Sequence, residues 1–316
     1  MIISASYKTD IPAFYGEWFI NRLKIGYCRI INPYNKNVHK ISLKREDASG
    51  FVFWTKNLGP FMNKLGIVKQ LGYPFIIQYT IHGYPRALES SVISADRSIK
   101  YIKYVAAEYG SRTIVWRYDP IIFSSITPKE FHIKNFKTIA ERLDGFTDEV
   151  VLSFAQIYKK TLHNMNYASQ LLGFTWNDPE DRIKLDLAEE LSEIASLYNI
   201  KLTMCSQRQF LSSAISDARC IDANRLSDVA GYRIRGKLKG NRPDCGCYES
   251  IDIGDYDTCP HGCIYCYAVS NRKLAQRRYK EHDPNSEFLI TPKFNFTASD
   301  DQDRDATRQT TLFNDD

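Results

Sequence analysis

Three thiols fall within eight residues in the string Cys259-Pro-His-Gly-Cys263-Ile-Tyr-Cys266, with an aromatic, Tyr265, directly before the last. Thiolates are soft ligands that hold zinc or iron–sulfur clusters. A structural zinc site closes a tetrahedron with four ligands, usually as two Cys-x-x-Cys pairs or Cys/His pairs. Three ligands in one short loop suit three irons of a [4Fe–4S] cluster instead, leaving the fourth iron open to a small molecule. If the metal were zinc, His261 or a distant cysteine would complete the set.

Four further cysteines, Cys205, Cys220, Cys245 and Cys247, lie outside this loop. Their number suits a second, fully ligated [4Fe–4S] cluster for electron relay; a structural zinc or buried free thiols are the alternatives. Cys28, in the apolar run Gly26-Tyr-Cys-Arg-Ile-Ile, reads as a core residue. No two of the six histidines are spaced as a metal pair, and Walker, HExxH and GxSxG signatures are absent.

The elements that must carry these residues are legible from periodicity. Strand-like runs at Met1–Ser6, Gly50–Thr55, Phe75–Ile81, Thr113–Arg117, Glu149–Phe154 and Lys201–Met204 alternate with helical patterns. The helices are expected at Phe14–Leu23, Phe61–Leu71, Ser94–Glu108, Pro128–Leu143 and Pro179–Tyr198, with a polar connection around Asn32-Pro33-Tyr34-Asn35. Such alternation predicts parallel βαβ units, and about six of them predict an α/β fold of TIM type, a partial or complete (β/α) barrel. Chemistry in such folds sits where strands pass into the following loops. Here those positions hold Tyr7 and Lys8, Thr55-Lys56-Asn57, His82-Gly83-Tyr84, Arg117-Tyr118-Asp119-Pro120, Ser153 with Gln156, and Cys205. Lys56, Asn57, Arg117 and Asp119 are the candidates for contacting cofactor or substrate. Residues 1–205 are read as barrel units and 206–249 as a cysteine-containing insert. Residues 250–290 form a strand (Ser250–Tyr256), the cysteine loop and a helix (Val269–Glu281), and 291–316 an acidic, disordered tail.

Composition sets the bounds. With 43% hydrophobic and 25% charged residues, the 316-residue chain is globular in type. The longest apolar stretch, Pro74 to Ile81, is too short to span a bilayer, and Met1-Ile-Ile-Ser-Ala-Ser-Tyr-Lys lacks the pattern of a signal peptide. A cytoplasmic location without membrane association is therefore expected, where cysteines serve as metal ligands more than as disulfides. The net charge of +5 divides unevenly: from Ser299 onward six Asp face two Arg, which leaves 40 basic against 31 acidic residues in the body. A basic body fits a polyanionic partner such as nucleic acid, or simply a lysine-rich solvated surface.

The loop Cys259–Cys266, with Tyr265 before its third cysteine, resembles the signature of the radical S-adenosylmethionine (SAM) superfamily. The wider string Cys-Pro-His-Gly-Cys-Ile-Tyr-Cys-Tyr-Ala resembles its spore photoproduct lyase branch. The resemblance implies a cluster on Cys259, Cys263 and Cys266 whose open iron binds SAM. It further implies reductive cleavage to a 5′-deoxyadenosyl radical, Tyr265 beside the adenine, and a flavodoxin- or ferredoxin-like electron donor. Over nearly its full length the chain is also similar to a bacterial domain-of-unknown-function family of radical-SAM-like proteins. That similarity is carried by Phe53-Trp-Thr-Lys-Asn57, Trp116-Arg-Tyr-Asp-Pro120, Cys245-Gly-Cys247 and Asp252-Ile-Gly-Asp-Tyr-Asp-Thr-Cys259. Two departures stand out. The superfamily's cysteine loop follows the first strand, whereas here it begins at residue 259, and the sequence has no Gly-Gly-Glu segment for the SAM amino group. Circular permutation reconciles the first, provided that Ser250–Tyr256 lies beside Met1–Ser6. The implied activity is DNA base repair or modification. A radical SAM enzyme for a small molecule or peptide, and a non-catalytic iron–sulfur or zinc protein, are the alternatives.

The tail holds Gln309-Thr-Thr-Leu-Phe313, similar to the QxxLF peptides by which bacterial polymerases and repair enzymes dock on the sliding clamp. An extended peptide with adjacent Leu and Phe can anchor in an apolar groove.

Overall fold

The computed structural model describes residues 1–33, 35–240 and 244–292. Its centre is one eight-stranded, all-parallel sheet made of β1 (Ile2–Ala5), β2 (Gly50–Thr55), β3 (Phe75–Thr80), β4 (Ile114–Ile121), β5 (Glu149–Phe154), β6 (Lys201–Met204), β7 (Ser216–Asp217) and β8 (Ser250–Asp252). The spatial order is β7-β6-β5-β4-β3-β2-β1-β8. Seven strands therefore follow the chain order, and the eighth crosses the molecule to lie beside the first. Its register with β1 is Ile2↔Ser250, Ile3↔Ile251 and Ser4↔Asp252. Among the described residues no pairing joins β7 to β8, so the sheet has two edges.

The helices are α1 (Gly16–Ile25), α2 (Met62–Gln70), α3 (Ala95–Tyr109), α4 (Lys129–Leu143), α5 (Lys159–Leu172), α6 (Asp181–Leu197), α7 (Ala223–Ala230) and α8 (Arg272–Lys280). Side chains alternate across each strand, and the two faces meet different partners. Ile3, Phe51, Phe53, Ile77, Trp116, Leu152 and Leu202 share one core with Trp18 and Phe19 of α1, Leu65 of α2, Ile102 of α3, Phe136 of α4 and Leu191 of α6. Phe19 meets Phe51 and Phe53 edge-on at 5.1 and 5.2 Å, the arrangement aromatic quadrupoles favour. On the other face Ile2, Val52, Ile76, Val115 and Val151 share a second core with Ala223 and Leu226 of α7 and with Cys205, Cys220 and Cys247. Further along that face the same alternation brings up Ser4, Trp54, Gln78, Arg117, Asp119 and Ser153. The face thus turns from apolar to polar toward the strand C-termini.

All expected strands are present, with adjusted ends: β4 runs on to Ile121 and the C-terminal strand stops at Asp252. Three elements differ from expectation. Residues around Asn32 turn a hairpin, Tyr27–Ile31 against Val38–Ser42, so Cys28 is a buried strand residue opposite Ile41. Helix α5 follows β5 where no helix is expected. It buries only Thr161, Met165 and Ala168 and exposes Leu162, Leu171 and Leu172, so its leucines trace no core stripe. Residues 206–249, expected as a cysteine-containing insert, add β7 and α7 to the same sheet and core. Among the described residues no helix is long and apolar enough to cross a membrane. The tail from 293, including Gln309–Phe313, lies outside the described residues.

Candidate functional site

Asp252, the last residue of β8, fixes the C-terminal unit to the N-terminal strand. Its carboxylate accepts from Ser4 Oγ at 2.8 Å, Ser6 Oγ at 2.6 Å, the Tyr7 amide at 2.9 Å and the Gly254 amide at 3.0 Å. A carboxylate satisfied on both oxygens is a strong buried acceptor. Gly254 has no room for a side chain, since a Cβ there would lie 2.6 Å from Ser6 Cβ.

From this anchor the chain passes through Cys259, Cys263 and Cys266 into α8. A strap across residues 88–91 holds the loop: Ile264 N donates to Leu88 O at 3.1 Å and Ser91 N to His261 O at 3.0 Å. Gly262 takes a left-handed φ of +73° under Arg272, where a Cβ would lie 2.5 Å from Arg272 Nε. The three thiols are half-buried and near enough to affect one another's ionisation. Burial, then Asp10 and the neighbouring thiols, raise the Cys259 pKa. Burial likewise raises Cys263, against the pull of Lys56.

Four charged or polar groups that follow β1, β2 and β3 meet the loop. Asp10 accepts the Ala13 amide with one oxygen, capping the helical turn Ile11–Phe14. Its other oxygen accepts the Lys56 amide and meets His261 Nε2, both at 2.8 Å. Lys56 Nζ pairs with Glu89 Oε1 at 2.8 Å and reaches His82 Nδ1 at 3.2 Å and the Tyr265 hydroxyl at 3.1 Å. Tyr265 donates to Glu89, which also meets His82 Nδ1 at 3.0 Å. Burial alone would raise the Glu89 carboxyl, but Lys56 and His82 outweigh it and hold it well below the usual carboxylate range. Burial, then Lys56, lowers the His82 pKa, while burial, then Glu89, raises that of Tyr265. Two buried ring nitrogens here, His261 Nδ1 and His82 Nε2, have no hydrogen-bond partner among the described residues.

The second thiol set assembles on the polar part of the sheet's other face. Cys205 Sγ and Cys220 Sγ are 3.5 Å apart, Cys220 contacts Cys247, and Cys247 contacts Cys245. The thiols form a continuous row; here and at the cysteine loop, as among all the described residues, no three His, Cys, Asp or Glu side chains are placed to hold a metal ion. For Cys220, a hydrogen bond with Cys205 that lowers its pKa is outweighed by one with Cys247 and by burial, which push it up to about 12. Arg117 abuts the row, donating to Cys220 Sγ at 2.9 Å, and its other terminal nitrogen donates to Asp119. Ser153 Oγ also donates to Asp119. Asp119, Ser153, Gln156, Gln207, Tyr265 and Tyr267 line a cleft of about 90 Å³. A larger cavity of about 740 Å³ flanks α8, but none of the sequence-derived site residues lines it.

The structure thus brings Lys56, Tyr265 and the three loop cysteines to one centre, and Cys205, Cys220, Cys245 and Cys247 to another. Asp119 lies on the cleft with Tyr265, whereas Arg117 is buried and engaged with the second centre. Asn57 serves its own turn, accepting the Gly59 amide at 3.1 Å. Asp10 and Glu89 are not among the sequence candidates, and His261 is one only as a ligand for zinc. Their only local signals are the helix-start pattern after Asp10 and the position of His261 inside the cysteine loop.

A family model described as "Domain of unknown function (DUF1848)" matches residues 2–268, from the start of β1 to just past Cys266. The chain belongs to the DUF1848 family. The matched span of this DUF1848 protein takes in both thiol sets. No curated protein matches it. Among solved structures it is similar to a protein provisionally assigned as an alpha-L-fucosidase from Bacteroides thetaiotaomicron VPI-5482. That likeness is 11% identity over 76% of this chain and 85% of the other, with a TM-score of 0.29, too slight to bear on chemistry. At the DUF1848 site the loop thiols stand beside an ion-paired lysine and carboxylate, next to a small cleft that Tyr265 also lines.

Proposed function

We propose that this protein is a radical SAM iron–sulfur enzyme acting on nucleic acid, with a DNA base as the group repaired or modified. The observation that carries the reading is the seat of the cysteine loop: it leaves β8 directly beside β1, and its Tyr265 meets Lys56, His82 and Glu89. In this reading the sheet is a partial (β/α) barrel with a circularly permuted radical SAM core, its last unit standing where a first unit ordinarily stands. Three half-buried thiols in one loop, with two orphaned histidine nitrogens at the same centre, fit a cluster of the [4Fe–4S] type.

Cys259, Cys263 and Cys266 would hold the cluster, which would supply one electron for cleavage of SAM into methionine and a 5′-deoxyadenosyl radical. The chain's own residues bind, orient and shield. Lys56 and Glu89 form a fixed pair of opposite charges able to meet the ammonium and carboxylate of an amino-acid group, in place of the missing Gly-Gly-Glu segment. Tyr265 presents its ring to the adenine and keeps its hydroxyl on Glu89. Asp119, steadied by Ser153, faces the cleft as an acceptor for substrate, and Asn57 holds the loop that carries Lys56. Burial of the cluster's surroundings excludes water, which would otherwise quench reactive intermediates.

The row Cys205, Cys220, Cys247, Cys245 supports a second cluster that relays electrons from a flavodoxin- or ferredoxin-like donor. The basic body supports a nucleic-acid partner, and the peptide Gln309–Phe313 supports docking on a sliding clamp. A small-molecule or peptide substrate is the second reading, favoured by the size of the cleft, about 90 Å³. Anaerobic purification should yield about eight irons per chain. Under reduction, SAM should give 5′-deoxyadenosine, with product formed only when damaged DNA is present. Zinc in place of iron, or iron without SAM cleavage, sinks the enzyme reading. Product from a free small molecule in the absence of DNA selects the second.

A further inference from the structure

Arg117 reaches from the second centre to the cleft wall through a charged side chain. It is 4% exposed. Nη1 donates to Gln78 Oε1 at 3.1 Å and to Cys220 Sγ at 2.9 Å, while Nη2 donates to Asp119 on the cleft wall. The guanidinium lies 4.9 Å from the Trp54 ring centroid, a cation–π arrangement. Gln78 completes the frame, donating from Nε2 to Cys220 O at 2.8 Å. The fork is thus fixed from three directions, and the residue whose sulfur it touches is held at its backbone carbonyl by the same glutamine.

We propose that Arg117 is a positioning residue that sets the redox potential of the centre on Cys205, Cys220, Cys245 and Cys247 and couples that centre to the cleft through Asp119. The proposal rests on reading those thiols as ligands of an iron–sulfur cluster. One electron from a low-potential donor of the flavodoxin or ferredoxin class reduces the centre; no bond is made or broken, and Arg117 keeps its proton throughout. A buried cation donating to a ligand sulfur stabilises the added negative charge, which raises the potential. Asp119 offsets part of that charge and answers in turn to whatever enters the cleft, so occupancy there is felt at the ligand sulfur. Lysine cannot replace this arrangement, because one ammonium cannot serve Gln78, Cys220 and Asp119 in the plane of the fork.

The test is an EPR-monitored redox titration of the full-length protein, purified anaerobically, as wild type, Arg117→Gln and Arg117→Lys. In the Gln variant the second centre's signal should shift negative by about 59 mV, a tenfold fall in reduced-to-oxidised ratio at fixed potential for a one-electron couple. The loop centre, recognised by its response to added SAM, should not move, and the Lys variant should fall between. An unchanged potential with iron retained overturns the proposal, as does an equal shift of both centres. Loss of the second centre's iron in both variants assigns Arg117 to folding and likewise overturns it. A wild type with about four irons and a single signal, yet intact SAM cleavage, refutes the second centre and Arg117's role while leaving the radical SAM reading standing.

Discussion

Glu89→Gln removes one charge from the buried cluster and nearly preserves its shape. Glu89 is 4% exposed, and its Oε1 accepts from Lys56 and Tyr265 and meets His82. The amide oxygen can still accept, but the Lys56 ammonium then stays buried without its counter-ion. Breaking a buried pair from one side costs about 3–5 kcal/mol. Lys56→Met strands the carboxylate in the same way and should cost a similar amount. The double variant strands neither charge, so its loss should fall short of the sum by roughly 2 kcal/mol, within the range of coupled neighbours. Urea denaturation with an unchanged m-value reads these differences. The acid side adds an independent check. Glu89 is held below its ordinary value of 4.5, so it binds fewer protons folded than unfolded. Its stabilisation is complete above that value and drains away as the pH falls toward the folded pKa. The wild type should therefore lose stability more steeply below pH 4.5 than Glu89→Gln does. Additive single losses of under about 1 kcal/mol, with parallel acid limbs, would refute the view of this cluster as one charge-coupled unit.

Four other outcomes follow from named contacts. Asp252→Ala strips the acceptor that ties β8 to β1 and should cost about 2–4 kcal/mol, with hydrogen exchange accelerated in Ile2–Ala5 and Ser250–Asp252 but not in α4. Gly262→Ala forces a left-handed φ on a residue with a side chain under Arg272, a strain of about 1–3 kcal/mol; iron bound by the loop should drop while far-UV circular dichroism is kept. Trp116→Ala empties a fully buried site stacked on Phe136 and should cost about 3–5 kcal/mol by denaturant titration. Burial pushes the Cys28 thiol up to about 12, so in native metal-free protein it should resist iodoacetamide at pH 8 and react only on unfolding, as mass spectrometry of the alkylated peptide will show.

Much of the molecule was legible because the signals are local. Six strand runs alternate with helical patterns, and the parallel sheet follows from their spacing. The helix α5 escaped notice because its leucines point outward and its buried face is Thr161, Met165 and Ala168. The hairpin at Tyr27–Ser42 escaped because its turn reads as a plain polar connection. The loop cysteines stand out from spacing alone, since they are contiguous in the chain. Glu89 could not, because residues 86–92 hold no signal beyond a bend between two elements.

By itself the sequence determined the spacing of the thiols and the alternation of strands and helices. These depend on residue type and short spacing, which folding does not alter. Only the tertiary structure decided which distant side chains share a centre. Asp10, Lys56 and the pair His82 and Glu89 follow three successive strand ends and meet Tyr265 and His261 because a parallel sheet brings all its C-terminal edges together. The same packing turned Arg117 away from the cysteine loop and onto Cys220. Strand alternation fixes which face a residue points to, but the neighbour it finds there depends on sheet order and on what covers that face, and both are long-range properties of the chain.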